Sequence, residues 1–189
     1  MAPRVSNLYF VRHGRAEASW DVAVDPSLDE VGRSQADAVA NQLSLTIEPC
    51  AIYTSPLARC RETSSFLAQS WRCEPIIEPR IAEIPSPQGV AMADRVEWLR
   101  AAMGGNWGDL APEHRAYRDE LVRFACATKG PAVLFTHFVA INALIGHVLG
   151  IDDVLTKTLD NCSVTVFTHS SDGSLRLLEY GNEADTLVR

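Results

Sequence analysis

The 189-residue chain has no Cys-x-x-Cys pair, and its five cysteines, Cys50, Cys60, Cys73, Cys126 and Cys162, are odd in number. That usage argues against a disulfide framework and fits reduced, structural thiols. Carboxylates, histidines and cysteines do not cluster at metal-ligand spacing, so neither a metal nor a cofactor is expected. Basic residues are in deficit: 17 Lys and Arg stand against 24 Asp and Glu, a formal net charge of −7. Nucleic acid and anionic membranes reward a basic face, so neither is an expected partner. The start of the chain lacks the charged segment, apolar run and small-residue cleavage site of a secretory signal, and the cytoplasm is the expected compartment. Repeats, linkers and low-complexity stretches are also missing, which leaves one domain over residues 1–189.

What is present is an ordinary globular balance, 47% apolar and 22% charged, in a length that suits one well-buried core. The longest apolar stretch, residues 131–151, is interrupted by His137, Asn142 and His147. A strand followed by a buried helix explains it better than a membrane span.

The chain is organised around Leu8-Tyr9-Phe10-Val11-Arg12-His13-Gly14. Four apolar residues, aromatic and branched, read as a central strand, and open α/β sheets bind ligands beyond the carboxyl ends of their strands. Arg12 and His13 fall at such an end. Gly14 permits either a backbone conformation closed to other residues or close approach of a ligand. A second apolar run, Pro131-Ala132-Val133-Leu134-Phe135-Thr136, also ends in a histidine, His137, with a helix expected from Phe138. A loop over residues 15–25, carrying Ser19 and Trp20, should lie over the first strand tip.

Between the two runs, acidic residues at Asp29-Glu30 open a helix over 29–45, with Val31, Ala38, Val39 and Leu43 at helical spacing and Pro49 beyond its end. Ala51-Ile52-Tyr53-Thr54 is a short strand. After it Ser55 is positioned to cap and Pro56 to open a helix, which puts Arg59 in a first turn, where amides and dipole favour an anion. Arg61 points elsewhere, to solvent. A third strand spans 75–78, and two prolines keep 80–87 extended. Glu83 lies there between Ala82 and Ile84, an awkward place for a solvated carboxylate: it is either paired or functional. Helical patterns over 90–103 and 112–128 make 84–130 a candidate cover, with Trp98 and Trp107 as anchors. His114, His147 and His169 read as packing or surface residues. Residues 161–167 alternate as a strand, and Asp172-Gly173 turns into a closing hairpin. The expected fold is a three-layer α/β/α sandwich with a mostly parallel sheet and an antiparallel edge.

Strand-end Arg12-His13-Gly14, helix-start Arg59 after Ser-Pro-Leu, loop Glu83 and strand-end His137 occur in the order seen in the histidine phosphatase superfamily, with its phosphoglycerate mutase-like fold. The sequence resembles a small phosphatase-type member along most of its length, since Leu28-Asp29-Glu30-Val31-Gly32-Arg33-Ser34-Gln35-Ala36 and Asn161-Cys162-Ser163 match as well. The resemblance implies that His13 is the nucleophile, that Arg12, Arg59 and His137 bind the phosphoryl group, and that Glu83 donates the proton. Gly14 and Ser19 fall on the substrate side. Departures concern the surroundings: Arg15-Ala16 stands where many members carry Glu-Thr, Ser19 where many carry Asn, and Phe138 where Gly usually follows the second histidine.

The chemistry suits those residue types. Phosphoryl transfer needs a positioned nucleophile and charge stabilisation. A neutral imidazole offers a lone pair near pH 7, and a backbone carbonyl on its other nitrogen would aim it. Guanidinium forks bind phosphate oxygens bidentately. The expected activity is hydrolysis of a small phosphorylated substrate through a phosphohistidine. A phosphate-sensing or phosphoprotein-binding module and a mutase-type phosphotransferase are the alternatives.

Overall fold

The two apolar runs that end in histidine are parallel neighbours in one sheet. In the computed structural model, which describes residues 7–19, 22–170 and 172–184, β1 (Asn7–Arg12) pairs with β4 (Ala132–Thr136), with Arg12 opposite Thr136. His13 and His137 therefore leave the sheet side by side. Trp20 and residues 185–189 lie outside the described residues.

The sheet has six strands in the order β3-β2-β4-β1-β5-β6. β2 (Ala51–Thr54) and β3 (Ile76–Ile77) continue the parallel part beyond β4. On the other side β5 (Val164–His169) and β6 (Leu175–Glu179) run antiparallel and form the expected edge. β3 is shorter than its sequence suggests, and both of its isoleucines are about half exposed at the sheet edge.

Side-chain alternation along β4, buried at all five positions, divides the core into two. Ala132 and Leu134 pack with α4 (Pro112–Ala127) and α5 (Phe138–Leu149). Val133 and Phe135 pack with α1 (Glu30–Thr46) and α2 (Ala58–Trp71). The result is the expected sandwich of three layers, and burying one side chain such as Phe135 contributes about 3 kcal/mol of transfer free energy.

Local chemistry sets the helix ends. The Asp29 carboxylate accepts the Gly32 amide and caps α1, and Ile47 is already extended past its last turn. The buried stripe of α1 is Gly32, Ala36, Val39, Ala40 and Leu43, whereas Val31 and Ala38 face outward, contrary to the periodicity. The helix is rotated because Gly32 must press its backbone on the loop after β1: a Cβ at Gly32 would lie 2.0 Å from the Arg15 carbonyl oxygen. The segment 84–130 begins less regularly than expected. A short 3-10 turn, Met92–Asp94, precedes α3 (Arg95–Met103). Trp107 is a core residue, while Trp98 stacks beside His114 with ring centroids 5.0 Å apart. Residues 161–163 are a turn and not strand, because Cys162 is left-handed (φ 55°) and donates its amide to the Arg12 carbonyl. None of the helices among the described residues is long and apolar enough to cross a membrane.

Candidate active site

Each strand end delivers one part of a single cluster. His13 follows β1, His137 follows β4 as the residue capping α5, and Arg59 lies in the first turn of α2, after β2. All three are buried, as is Arg12. The two imidazoles meet edge to face with centroids 5.2 Å apart. Arg59 joins them: its Nε donates to His13 Nε2 at 3.2 Å, and its Nη2 lies 3.2 Å from His137 Nδ1.

These contacts fix both tautomers. His13 Nδ1 lies 2.8 Å from the Gly14 carbonyl, so Nδ1 carries the proton and Nε2 faces the guanidinium with its lone pair. A guanidinium cannot accept, so His137 Nδ1 is likewise unprotonated, and its Nε2 donates to Ser55 Oγ at 2.8 Å. Burial, together with Arg59 and Arg12, holds both imidazoles well below their ordinary pKa of 6.5, and His13 adds to the effect on His137. Both rings are neutral at physiological pH.

Arg12 is held on two sides. Its Nη1 donates to the Leu159 carbonyl at 2.6 Å, and its guanidinium lies 4.9 Å above the Phe138 ring. Burial brings its pKa down to about 10, leaving it a cation. Arg12 Nε and Arg59 Nη1 are buried without a hydrogen-bond partner among the described residues, although the Asp25 carboxylate stands 3.9 Å from the latter. Two buried guanidinium groups with unpaired donors, each near enough to act on both imidazoles, suit an oxyanion.

The Glu83 carboxylate accepts the Ile84 amide at 3.0 Å and lies within electrostatic range of both arginines. Its charge is felt at Arg12, and its own pKa is raised by burial against the opposing pull of Arg59, the Ile84 amide, Arg12 and the Val139 amide in the first turn of α5. The carboxyl group is thereby biased towards its protonated form.

Two expectations need correction. Gly14 has no positive φ among the described residues, and what approaches it is not a ligand: a Cβ there would lie 2.5 Å from the Gly32 carbonyl oxygen. Its amide is taken by Thr63 Oγ1. Ser55 does not cap α2, whose capping residue is Leu57; Pro56 precedes that residue, and the Ala58 amide goes to Asp25. The Ser55 hydroxyl accepts the Leu57 amide at 3.3 Å, just ahead of the helix, and receives His137 Nε2–H at 2.8 Å. Ser19 is seated in the adjoining loop, where its carbonyl accepts the amides of Val22 and Ala23.

Sequence reasoning missed four residues that shape the cluster. Ser55, at the carboxyl end of β2, carries the same strand-end signal as His13 and His137. Asn161 donates to the His13 carbonyl at 2.9 Å, and Asp25 caps the helix bearing Arg59 from a distant loop; no local pattern marks either one. Thr63, one turn after Arg59, bridges the Arg59 carbonyl and the Gly14 amide.

With this geometry in place, similarity to known proteins identifies the class. Residues 8–183 match the histidine phosphatase superfamily (branch 1), and the chain belongs to that family. It is 29% identical to a probable phosphoglycerate mutase GpmB of Photorhabdus laumondii, over 84% of this chain and 82% of that protein. It is 33% identical to the metal-independent phosphoserine phosphatase of Arabidopsis thaliana, over 49% of this chain and 42% of that one. Among solved structures, a mycobacterial glucosyl-3-phosphoglycerate phosphatase superposes with a TM-score of 0.72 at 23% identity, over 95% of this chain and all of that one. The phosphoserine phosphatase of Entamoeba histolytica gives 0.71 at 20% identity, over 95% of this chain and 98% of that one. At those identities the likeness is one of fold.

Proposed function

We propose that the chain is a phosphomonoesterase that hydrolyses a small phosphorylated substrate through a phosphohistidine on His13. The observation that carries this reading is the Gly14 carbonyl on His13 Nδ1, which leaves the Nε2 lone pair aimed into a cluster of two buried guanidinium groups and a second imidazole. An entering phosphate dianion competes for the donors of Arg59, freeing Nε2. His13 Nε2 then attacks phosphorus in line; the N–P bond forms as the ester P–O bond breaks, and Glu83 passes its proton to the leaving oxygen. In the second step the Glu83 carboxylate takes a proton from water. The water oxygen attacks phosphorus, the N–P bond breaks, and phosphate leaves with His13 neutral again.

Arg12 and Arg59 balance the charge on the phosphoryl oxygens. Their dianionic guest favours the imidazolium form of His137, which then donates from Nδ1. A preorganised donor of this kind is commonly worth about 3 to 4 kcal/mol to the transition state. Ser19 falls on the substrate side, and residues 84–130 cover it. The names of relatives agree with phosphate-ester hydrolysis: a metal-independent phosphoserine phosphatase and, in Niallia circulans, a 5''-phosphoribostamycin phosphatase.

p-Nitrophenyl phosphate tests the reading. Turnover that survives a chelator and disappears in His13→Ala supports it, and equal turnover by that variant ends it. The relatives described as probable phosphoglycerate mutases favour a second reading, transfer of the phosphoryl group to another hydroxyl. Labelled phosphate found in a rearranged ester, and not free in solution, would select it.

A further inference from the structure

Glu83 sits on a loop whose backbone is gripped at three carbonyls. The Ile81 oxygen accepts from Thr136 Oγ1 at 2.6 Å, the Ala82 oxygen from the Tyr117 hydroxyl at 2.9 Å, and the Pro85 oxygen from His114 Nε2 at 3.1 Å. Ile81 and Ile84 are fully buried on either side of the carboxylate and hold the loop to the core. The Thr136 bond comes from the strand that delivers His137. The other two come from α4, where His114 and Tyr117 stand three residues apart and so share one face.

That spacing matters because the two donors straddle Glu83. One fixes the carbonyl just before it and the other a carbonyl just after it. Both side chains are themselves braced: His114 is buried and stacked on Trp98 of α3, and Tyr117 stacks against the core residue Trp107 at 6.3 Å. Tyr117 also lies near enough to Glu83 for the carboxylate to push its phenol pKa up, beyond the rise that burial causes.

We propose that α4 holds the proton donor in place, with His114 and Tyr117 acting as positioning residues that fix Glu83 over the leaving-group oxygen through the Pro85 and Ala82 carbonyls. This rests on the reading of Glu83 as the proton donor. Neither residue touches the phosphoryl group; both act through the loop. The segment 84–130 then couples to the chemistry, since a shift of α3 or α4 moves the acid.

Leaving-group dependence tests this, because p-nitrophenolate departs without a proton and an alkoxide does not. The measurement is kcat/KM on p-nitrophenyl phosphate and on glycerol phosphate for wild type, Glu83→Gln, Tyr117→Phe and His114→Phe. Glu83→Gln should lose about 10²-fold or more on glycerol phosphate and far less on the aryl ester. Tyr117→Phe and His114→Phe, near in shape to the originals, should each lose about tenfold on glycerol phosphate and less than about twofold on the aryl ester, as expected for a displaced catalytic group. Equal losses on both esters, or no loss, in the α4 variants while Glu83→Gln remains selective would overturn the positioning role alone. A Glu83→Gln indifferent to the leaving group would remove the proton-donor reading and this proposal with it. Either α4 variant suffices if the other does not fold.

Discussion

Arg59 donates from Nε to His13 Nε2 at 3.2 Å, and the same guanidinium reaches on to the second imidazole. Burial, and after it this shared cation, keeps both rings from protonating, and that has a consequence for stability. Each imidazole has a folded pKa well below 6.5. As pH falls through that ordinary value, the unfolded chain binds protons that the folded chain refuses. The stabilisation is complete above 6.5 and is lost towards acid, by up to about 1.4 kcal/mol per pH unit for each ring that stays neutral. Urea midpoints taken from pH 7.5 down to about pH 5 should decline, and a His13→Gln/His137→Gln double variant should flatten the decline. An unchanged slope would assign the acid sensitivity to other groups.

Ser55→Ala removes the acceptor of His137 Nε2–H, leaving a buried donor unpaired and the ring free to turn. Such a loss costs about 1–3 kcal/mol, so phosphatase kcat should fall about tenfold or more with the fold intact. A variant as active as wild type would show that Cys60, whose sulfur lies 3.3 Å from the same nitrogen, is enough to orient the ring.

Gly14→Ala forces a Cβ to within 2.5 Å of the Gly32 carbonyl oxygen, a backbone atom. Overpacking of this kind costs about 1–3 kcal/mol, and the displaced loop carries His13. The thermal midpoint and the activity should fall together. Gly104→Ala is the control, since its new carbon would meet nothing closer than 3.6 Å, and it should leave both nearly unchanged.

Phe138 is an aromatic floor for Arg12. A desolvated cation–π contact is worth about 2 kcal/mol, so Phe138→Leu should weaken inorganic phosphate binding roughly tenfold or more. Calorimetric titration reads this directly. Unchanged affinity would leave the Leu159 carbonyl as the main restraint on Arg12.

The parts of this site that show in the sequence are those that interrupt a pattern. His13 and His137 end apolar runs, Glu83 breaks one, and Arg59 follows a strand and a proline; the sheet and its antiparallel edge follow from the same runs. What stayed hidden depends on backbone meeting backbone or on distant partners. Val31 looked like a core residue because apolar periodicity says nothing of Gly32 pressing its peptide on Arg15. Ser55 looked like a cap because Ser-Pro before a helix usually is one, yet Asp25 takes that duty from another loop. His114 looked unremarkable because its partner is the Pro85 carbonyl, and carbonyls carry no sequence signature. Asn161-Cys162-Ser163 looked like strand because side-chain alternation does not reveal the left-handed turn at Cys162.

The most direct measurement is to quench the protein during turnover of a radiolabelled phosphate ester and locate the label by mass spectrometry under alkaline conditions. The expected result is an acid-labile phosphate on Nε2 of His13, absent from His13→Ala. Label on another residue, or rapid turnover with none on the protein at any time, would contradict a phosphohistidine at the end of β1.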